Sequence, residues 1–150
     1  MESKAFSIRS EGILDSLRTS IAISSDIAEE NINEPILWTG IWDTGANYTA
    51  IDKRVAKKLK LSPVGMTNVF TANGIMEVNA YYINVGLPNG VIVKDLLVSE
   101  SDLGDEIDVL IGMDVISKGD FSITNYNGKT TFSFRIPSIE DIDLLKKSKN

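Results

Sequence analysis

Three Asn-Gly pairs separate short strand-like runs, and this spacing limits the fold more than any other feature of the chain. The pairs are Asn73-Gly74, Asn89-Gly90 and Asn127-Gly128. Asn-Gly favours the positive backbone angles of tight hairpin turns, so each pair predicts a β-hairpin. Frequent turns between short strands are typical of a small closed β structure and not of alternating βαβ units. We therefore expect a mostly β fold.

Helical patterns are few and short. Residues 52–61 begin with an aspartate, place Val55, Ala56 and Leu59 on one face and stop before Pro63, which predicts a short amphipathic helix. With 150 residues, of which 43% are hydrophobic, the chain is long enough for one domain with a core. We expect that domain over residues 1–137, followed by a helical tail over residues 138–150 that frays into polar residues.

The charge balance limits the partners. The chain has 15 lysines and arginines against 21 aspartates and glutamates, a net charge of −6, which argues against a nonspecific nucleic-acid binder. The basic run within residues 53–60 has helical spacing and is interpreted as a solvated face. Residues 1–7 lack the apolar core of a signal peptide, and no run approaches the length of a membrane span. We expect a cytoplasmic protein with no nucleic-acid or membrane partner.

The sequence contains no cysteine and no histidine. Disulfides, thiolate nucleophiles, zinc–thiolate sites and Ser-His-Asp or Cys-His catalytic groups are therefore excluded. Any proton transfer near neutral pH must fall to carboxylates, lysine or tyrosine. An acidic loop, residues 100–108, has a spacing that matches no calcium loop, and a solvated loop is favoured over a cation site there.

One aspartate stands out because an apolar run, residues 36–42, leads directly into Asp43-Thr44-Gly45-Ala46. This pattern delivers a carboxylate into a tight turn flanked by small residues. Asp, Thr and Gly are also ordinary turn residues, so the turn alone leaves both interpretations open. Gly112, which lies 69 positions after Asp43, follows an apolar strand and precedes a short amphipathic run.

Together, Asp43-Thr44-Gly45-Ala46 and Leu110-Ile111-Gly112 resemble the retropepsin-like aspartic peptidases. In that family, Asp-Thr-Gly-Ala is followed by two apolar residues and a glycine ahead of a short helix. The resemblance covers residues 36–136 and implies a small closed β-barrel with one or two short helices. It also implies an aspartic endopeptidase that acts on a peptide or protein substrate. No metal and no cofactor is implied.

Peptide hydrolysis needs a base that activates water and an acid that protonates the carbonyl or the leaving nitrogen. Two facing carboxylates that share a proton perform both tasks, as in the aspartic-protease dyad. This chain has one Asp-Thr-Gly, so the second carboxylate must come from a second copy across a two-fold axis. The resemblance therefore implies a homodimer in which each subunit contributes Asp43.

The residues around Asp43 have expected roles. Thr44 either donates its hydroxyl to the partner's backbone, as the resemblance implies, or is an ordinary β-branched residue near a strand end. Gly45 permits close backbone approach to the carboxylate. Ala46 provides no hydroxyl to stabilise the ionised carboxylate, which predicts activity at less acidic pH than in pepsin-like relatives. Gly112 is expected where the second strand packs behind the active loop.

Residues 69–78 are predicted to form a hairpin with a small, flexible tip. By position this hairpin resembles the flap that closes over substrate in the family, although an ordinary surface hairpin fits the pattern too. The residues expected to bind substrate are Ala72, Asn73, Gly74, Ile75 and Met76. Ile75 and Met76, together with Val109, Ile111 and Val115, are either walls of an apolar substrate groove or plain core.

The chain also departs from the viral pattern. Viral retropepsins usually carry a charged pair where this chain has Asn47, Tyr48 and Met113, so that ion-pair brace is missing. The viral relatives interleave their terminal strands in the dimer. Here residues 5–8 and 131–136 either interleave in that way, which is slightly favoured, or pair within one subunit.

Two other functions remain open at this stage. One is a catalytically silent module that keeps the retropepsin-like fold and binds peptides or dimerises. The other is a monomeric β domain in which the Asp-Thr-Gly turn is accidental.

Overall fold

The computed structural model describes residues 2–25 and 36–149. Its strands are β1 (Lys4–Arg9), β2 (Arg18–Ser24), β3 (Leu37–Trp42), β4 (Ala50–Asp52), β5 (Gly65–Thr71), β6 (Gly74–Gly86), β7 (Ile92–Ser101), β8 (Val109–Ile111), β9 (Asp120–Thr124) and β10 (Thr131–Ile136). The helices are α1 (Lys53–Lys58), α2 (Met113–Ile116) and α3 (Leu144–Lys147), and a 3-10 turn covers Tyr126–Gly128.

The strands form two sheets. The larger has the order β2-β3-β8-β4-β7-β6-β5, and β2 also pairs with β6, which closes six of these strands into a ring. The smaller sheet has the order β1-β10-β9. The predicted mostly β fold is thus confirmed, and residues 2–25 and 36–149 contain three short helices in place of the expected one or two.

Each Asn-Gly pair lies at a hairpin, as predicted. Asn73-Gly74 lies between β5 and β6, Asn89-Gly90 between β6 and β7, and Asn127-Gly128 between β9 and β10. At the last of these turns Asn127 has φ 53° and Gly128 has φ 70°. At the other two turns only the glycine, Gly74 (φ 112°) or Gly90 (φ 79°), has a positive φ. Glycine adopts such angles without a steric cost, which suits it to tight turns.

The terminal strands pair within one subunit. β1 runs antiparallel to β10, with Phe6 opposite Phe134, and β10 runs antiparallel to β9, with Phe134 opposite Phe121. The slightly favoured expectation, that residues 5–8 and 131–136 interleave with a partner, is therefore wrong for this structure. An antiparallel neighbour in the same chain satisfies the backbone of both segments without any exchange of strands.

Two parts of one hydrophobic core hold these sheets together. Burial alternates along β2, and its inward-facing residues include Ile21 and Ile23 of the core. The second part lies beneath the smaller sheet and is mainly aromatic. Its members are Phe6, Trp42, Phe121, Phe132 and Phe134.

Both predicted helices are shorter in the structure. α1 starts after Asp52, whose carboxylate accepts a hydrogen bond from Arg54 N at 2.9 Å, and it ends at Lys58 instead of Leu61. Among the described residues of the tail, 138–149, α3 is the only helix. Before it, the Ser138 hydroxyl and Ile139 N donate to the Asp120 carboxylate instead of joining a helix. No helix in the described segments has both the length and the apolar character needed to cross a membrane.

Arg54 links α1 to the acidic loop, so the basic run is only partly the solvated face that was expected. Its guanidinium donates to Gly104 O at 2.6 Å and to Asp52 Oδ1 at 2.7 Å, and it lies 3.5 Å from Asp108 Oδ1. Burial alone would raise the pKa of Asp52, but hydrogen bonds from Arg54 and Leu103 N outweigh it and lower that pKa. Among residues 2–25 and 36–149, no three acidic groups are grouped as a metal site.

Asp120 fastens the tail to the smaller sheet and makes stability depend on pH. Hydrogen bonds from Ser138 and Ile139 N, with the Arg135 guanidinium 2.6 Å away, lower the pKa of Asp120 from 3.8 to about 2. A carboxylate with a lowered folded-state pKa stabilises the fold above about pH 4 and loses that contribution as the pH falls towards about 2. We expect Asp120→Asn to lower the melting temperature near neutral pH, with a difference from wild type that narrows under acid.

The melting temperature is measured by circular dichroism at several pH values. Asp141→Asn is the matched control, because Asp141 is an exposed aspartate of the same tail, and its melting temperature should follow wild type throughout. If Asp120→Asn lowered the melting temperature by the same amount at every pH, this result would contradict the assigned role of the carboxylate.

Candidate active site

The parallel pairing of β3 with β8 brings the two sequence motifs together. Trp42 lies opposite Ile111, so the next residues, Asp43 and Gly112, leave their strands at the same level. Asp43 N donates a hydrogen bond to Ile111 O at 2.9 Å. The aspartate turn and the second glycine are therefore parts of one local structure, although 69 positions separate them in the chain.

The Asp43 carboxylate is held by its own turn. Gly45 N donates to Asp43 Oδ1 at 2.8 Å, and Ala46 N donates to Asp43 O at 3.2 Å. A Cβ atom on Gly45 would stand 3.1 Å from Asp43 Oδ1, so the close approach expected at this glycine is present. Asp43 is half-buried, whereas Thr44 is exposed. This geometry fixes the direction of the carboxylate and leaves it accessible.

Gly112 packs directly behind this turn. A Cβ atom there would lie 2.7 Å from the carbonyl carbon of Tyr48, 2.8 Å from Tyr48 O and 3.0 Å from Ala46 O. The next residue, Met113, donates its N–H to Ala46 O at 2.8 Å. Any side chain at position 112 would therefore collide with the backbone of the aspartate turn.

A second brace, which the sequence analysis missed, joins Thr49 to Asp114. Thr49 is fully buried, and its N–H and hydroxyl donate to the two oxygens of Asp114 at 2.9 and 2.7 Å. The Thr49 hydroxyl also accepts a hydrogen bond from Gly112 N at 3.2 Å. These hydrogen bonds fix the end of the aspartate turn that leads into β4. Viral retropepsins usually carry the ion pair in this region, and this chain lacks it. The sequence feature that could have indicated this contact is Asp114, the aspartate two residues after Gly112.

Trp42 anchors the end of β3, which explains its bulk next to Asp43. The indole is buried, and its Nε1–H donates to Thr19 Oγ1 at 2.9 Å. Its ring lies 5.0 Å from that of Phe134 and 5.3 Å from that of Phe132, centroid to centroid. Such pairs contribute about 0.5–1.5 kcal/mol each beyond area burial, so the residue before Asp43 has little freedom to move.

The hairpin predicted to be a flap is present, with Ala72 and Asn73 at its tip and Gly74 as the first residue of β6. The Thr71 hydroxyl donates to Gly74 O at 2.9 Å across the turn. The side chains near the tip are apolar yet exposed. They are Phe70 (87% exposed), Ile75 (65%) and Met76 (55%).

The other proposed walls of a substrate groove are not available to a ligand. Val109, Ile111 and Val115 are fully buried, so the plain-core alternative holds for all three. Val109 and Ile111 alternate along β8, so their side chains lie on one face of the strand. Together with Val115 of α2, they belong to the buried hydrophobic core. Of the five expected walls, only Ile75 and Met76 are exposed.

A cleft of about 460 Å³ opens beside Asp43 and Thr44. No residue of the β5–β6 hairpin lines this cleft within the described chain. The residues that line the cleft are Ile13, Leu14, Asp15, Ser16, Leu17, Ile41, Trp42, Asp43, Thr44, Phe121, Ile123, Asn125 and Thr130.

Comparison with protein families gives a match over most of the chain. The model described as "gag-polyprotein putative aspartyl protease" matches residues 28–118, which include Asp43 and Gly112. No curated protein is significantly similar in sequence.

Solved structures share the fold. A retropepsin-like aspartic protease from Rickettsia conorii is 19% identical, with a TM-score of 0.56, and the alignment covers 90% of this chain and 96% of that protein. The retroviral protease-like domain of Ddi1 from Leishmania major is 18% identical, with a TM-score of 0.50, over 80% of this chain and 95% of that domain. At these identities the likeness establishes the retropepsin fold.

The contact between Gly112 and the aspartate turn generates a stability prediction. In Gly112→Ala the added methyl group meets the Tyr48 carbonyl, which is backbone and cannot turn aside. We expect a loss of about 1–3 kcal/mol in the free energy of unfolding, the usual effect of overpacking. Urea denaturation measures it.

Gly65→Ala is the matched control, because a Cβ atom on Gly65 meets nothing within 4 Å. Its free energy of unfolding should stay within about 0.5 kcal/mol of wild type. Equal stability of Gly112→Ala and Gly65→Ala would show that the turn does not rest on Gly112.

Proposed function

The chain belongs to the gag-polyprotein aspartyl protease family, and from this premise we propose that it is an aspartic endopeptidase that cleaves extended polypeptides as a homodimer. The observation that carries the proposal is the placement of Asp43. Its carboxylate is oriented by Gly45 N, remains accessible, and stands where β3 and β8 end together. A rigid carboxylate at the surface of a fixed turn is what a dyad needs from each subunit.

In the proposed mechanism two Asp43 carboxyl groups meet across the two-fold axis and share one proton. Like charges a few ångströms apart cannot both ionise cheaply, so one group stays protonated while the other is the base. The base takes a proton from a water molecule, whose oxygen attacks the peptide carbonyl carbon, while the acid protonates the carbonyl oxygen. Collapse of the tetrahedral intermediate breaks the C–N bond as the leaving nitrogen accepts a proton.

The surroundings of Asp43 support this assignment. Thr44 is exposed next to the carboxylate, where its hydroxyl is free to reach the backbone of a partner, the role we propose for it. Gly45, Ala46 and Gly112 hold the turn through backbone contacts. These contacts cost no reorganisation during the reaction, because they exist before substrate binds.

The β5–β6 hairpin supports an extended peptide as substrate. We propose that Ala72, Asn73 and Gly74 close over the bound chain and that Ile75 and Met76 contact its apolar side chains. Exposed apolar residues on this two-stranded hairpin bury apolar surface when they cover a ligand. Backbone groups near the tip can bind an extended peptide as an added β-strand.

Replacement of the carboxylate tests the function directly. Asp43→Asn should lower cleavage of an unfolded polypeptide at least about 10³-fold, because the amide cannot act as the general base. The dimer and the melting temperature should be retained. Cleavage is followed by mass spectrometry of the products and the dimer by sedimentation.

Asp95→Asn is the control, since Asp95 is exposed, has φ 53° and lies outside the proposed site, and asparagine tolerates that backbone angle. It should cleave as wild type does. Undiminished cleavage by Asp43→Asn would rule out the mechanism. A wild-type dimer that cleaves no polypeptide would instead identify a catalytically silent binding module.

Ala46 generates a prediction about pH. A hydroxyl at this position would stabilise an ionised carboxylate, so Ala46→Ser should move the acidic limb of the kcat/KM profile to lower pH. Wild type should be active at less acidic pH than pepsin-like enzymes. Ala46→Gly, which also lacks a hydroxyl, should keep the wild-type limb. A wild-type profile confined to strongly acidic pH would contradict this reading of Ala46.

A further inference from the structure

The smaller sheet, β1-β10-β9, has two outer edges that pair with no other described strand. We propose that the outer edge of β9 pairs antiparallel with the same edge of a second copy of this chain. The two three-stranded sheets then join into one six-stranded sheet across the two-fold axis. This inference rests on the proposed function, because that function requires a second copy at Asp43.

The position of β9 selects it over β1. β9 contributes Phe121 and Ile123 to the cleft that also borders Asp43 and Thr44, whereas no residue of β1 lines that cleft. A partner whose own Asp43 approaches this one must cover the same region of the surface. The partner therefore meets the edge of β9 and stays away from the edge of β1.

The chemistry of the two edges agrees with this choice. β1 begins and ends with the charged residues Lys4 and Arg9, and the Asn89 side chain donates to Lys4 O at 2.9 Å. Charges and side-chain contacts of this kind protect an edge strand from pairing with another chain. Residues 121–124 of β9 carry no charge, and Asp120 is already bound to Arg135. The unprotected edge is the one beside the cleft.

Ile123 is incompletely covered in a single subunit. It belongs to the inward-facing row Ile8, Phe132 and Ile123, yet 47% of it is exposed, whereas Phe132 is buried. A strand added next to β9 would extend this row by one position. The exposed isoleucine is therefore the residue that gains most from a neighbouring strand.

Symmetry fixes the register of the proposed pair. Opposite residues of an antiparallel pair point to the same face, so a two-fold axis normal to the sheet must pass where one residue lies opposite its own copy. If all five residues of β9 pair, that residue is Ser122, the middle of the strand. This register places Ile123 opposite the partner subunit's Phe121 and continues the row Ser7, Ser133, Ser122 across the axis.

The chain contains no cysteine, so introduced thiols report on this geometry without background. In the proposed register, Ser122→Cys brings two Cα atoms to about 4.5–5.5 Å, within the range for a disulfide. Under mild oxidation most of that variant should migrate as a covalent dimer on a non-reducing gel. Ser7→Cys on β1 and Ser133→Cys on β10 are the controls and should stay monomeric on the same gel.

A second variant tests the interface without a cross-link. Ile123→Lys places a charge opposite the partner subunit's Phe121, next to the two-fold axis, and should raise the dimer dissociation constant at least 10-fold in sedimentation equilibrium. Ile92→Lys is the matched control, because Ile92 is also a strand isoleucine, 57% exposed, on β7, and its dissociation constant should equal that of wild type. Circular dichroism establishes that each variant is folded.

The outcomes separate this interface from the proposed function. A Ser122→Cys cross-link in a protein that cleaves no polypeptide supports the interface and rejects the protease. Cleavage by a protein that gives no Ser122→Cys cross-link, or that cross-links through Ser7→Cys, retains the protease and overturns the interface. An unchanged dissociation constant for folded Ile123→Lys also overturns it.

Discussion

The parallel pairing of β3 with β8 is the constraint on which the rest of the site depends. It sets Trp42 against Ile111, so the aspartate turn and Gly112 leave adjacent strands at one level. Only a residue without a side chain fits at Gly112, since a Cβ atom there would collide with the Tyr48 and Ala46 carbonyls. The position of Asp43 therefore follows from backbone contacts, which do not depend on any flexible side chain.

Side chains reinforce that backbone arrangement from two directions. Beneath the turn, the indole of Trp42 is fixed by Thr19 and by the aromatic residues of the smaller sheet. Beyond the turn, Asp114 binds both the N–H and the hydroxyl of Thr49. A half-buried, hydrogen-bonded carboxylate can replace an ion pair as a brace, because it satisfies two donors of Thr49 that would otherwise be buried and unpaired. The chain thus compensates for the missing viral ion pair within one subunit.

The sequence predicted the features that are encoded locally. The Asn-Gly turns and the apolar strand before Asp43 depend on neighbouring residues alone, and the structure has both. Helix lengths and strand partners depend on distant contacts. The helix of the tail is limited to α3 because Ser138 and Ile139 bind Asp120. β1 pairs with β10, which lies near the other end of the chain. The Thr49–Asp114 brace joins positions 65 residues apart, so no local pattern showed it.

The proposed catalysis requires two Asp43 carboxyl groups to come together, one from each of two copies of the chain. A crystal structure of the protein with a statine-type transition-state mimic tests this most directly. We expect both carboxyl groups within hydrogen-bond distance of the same inhibitor hydroxyl, which takes the place of the attacking water, on a two-fold axis. Carboxyl groups far apart in every packing arrangement, with no hydroxyl or water bridged by both, would contradict the account.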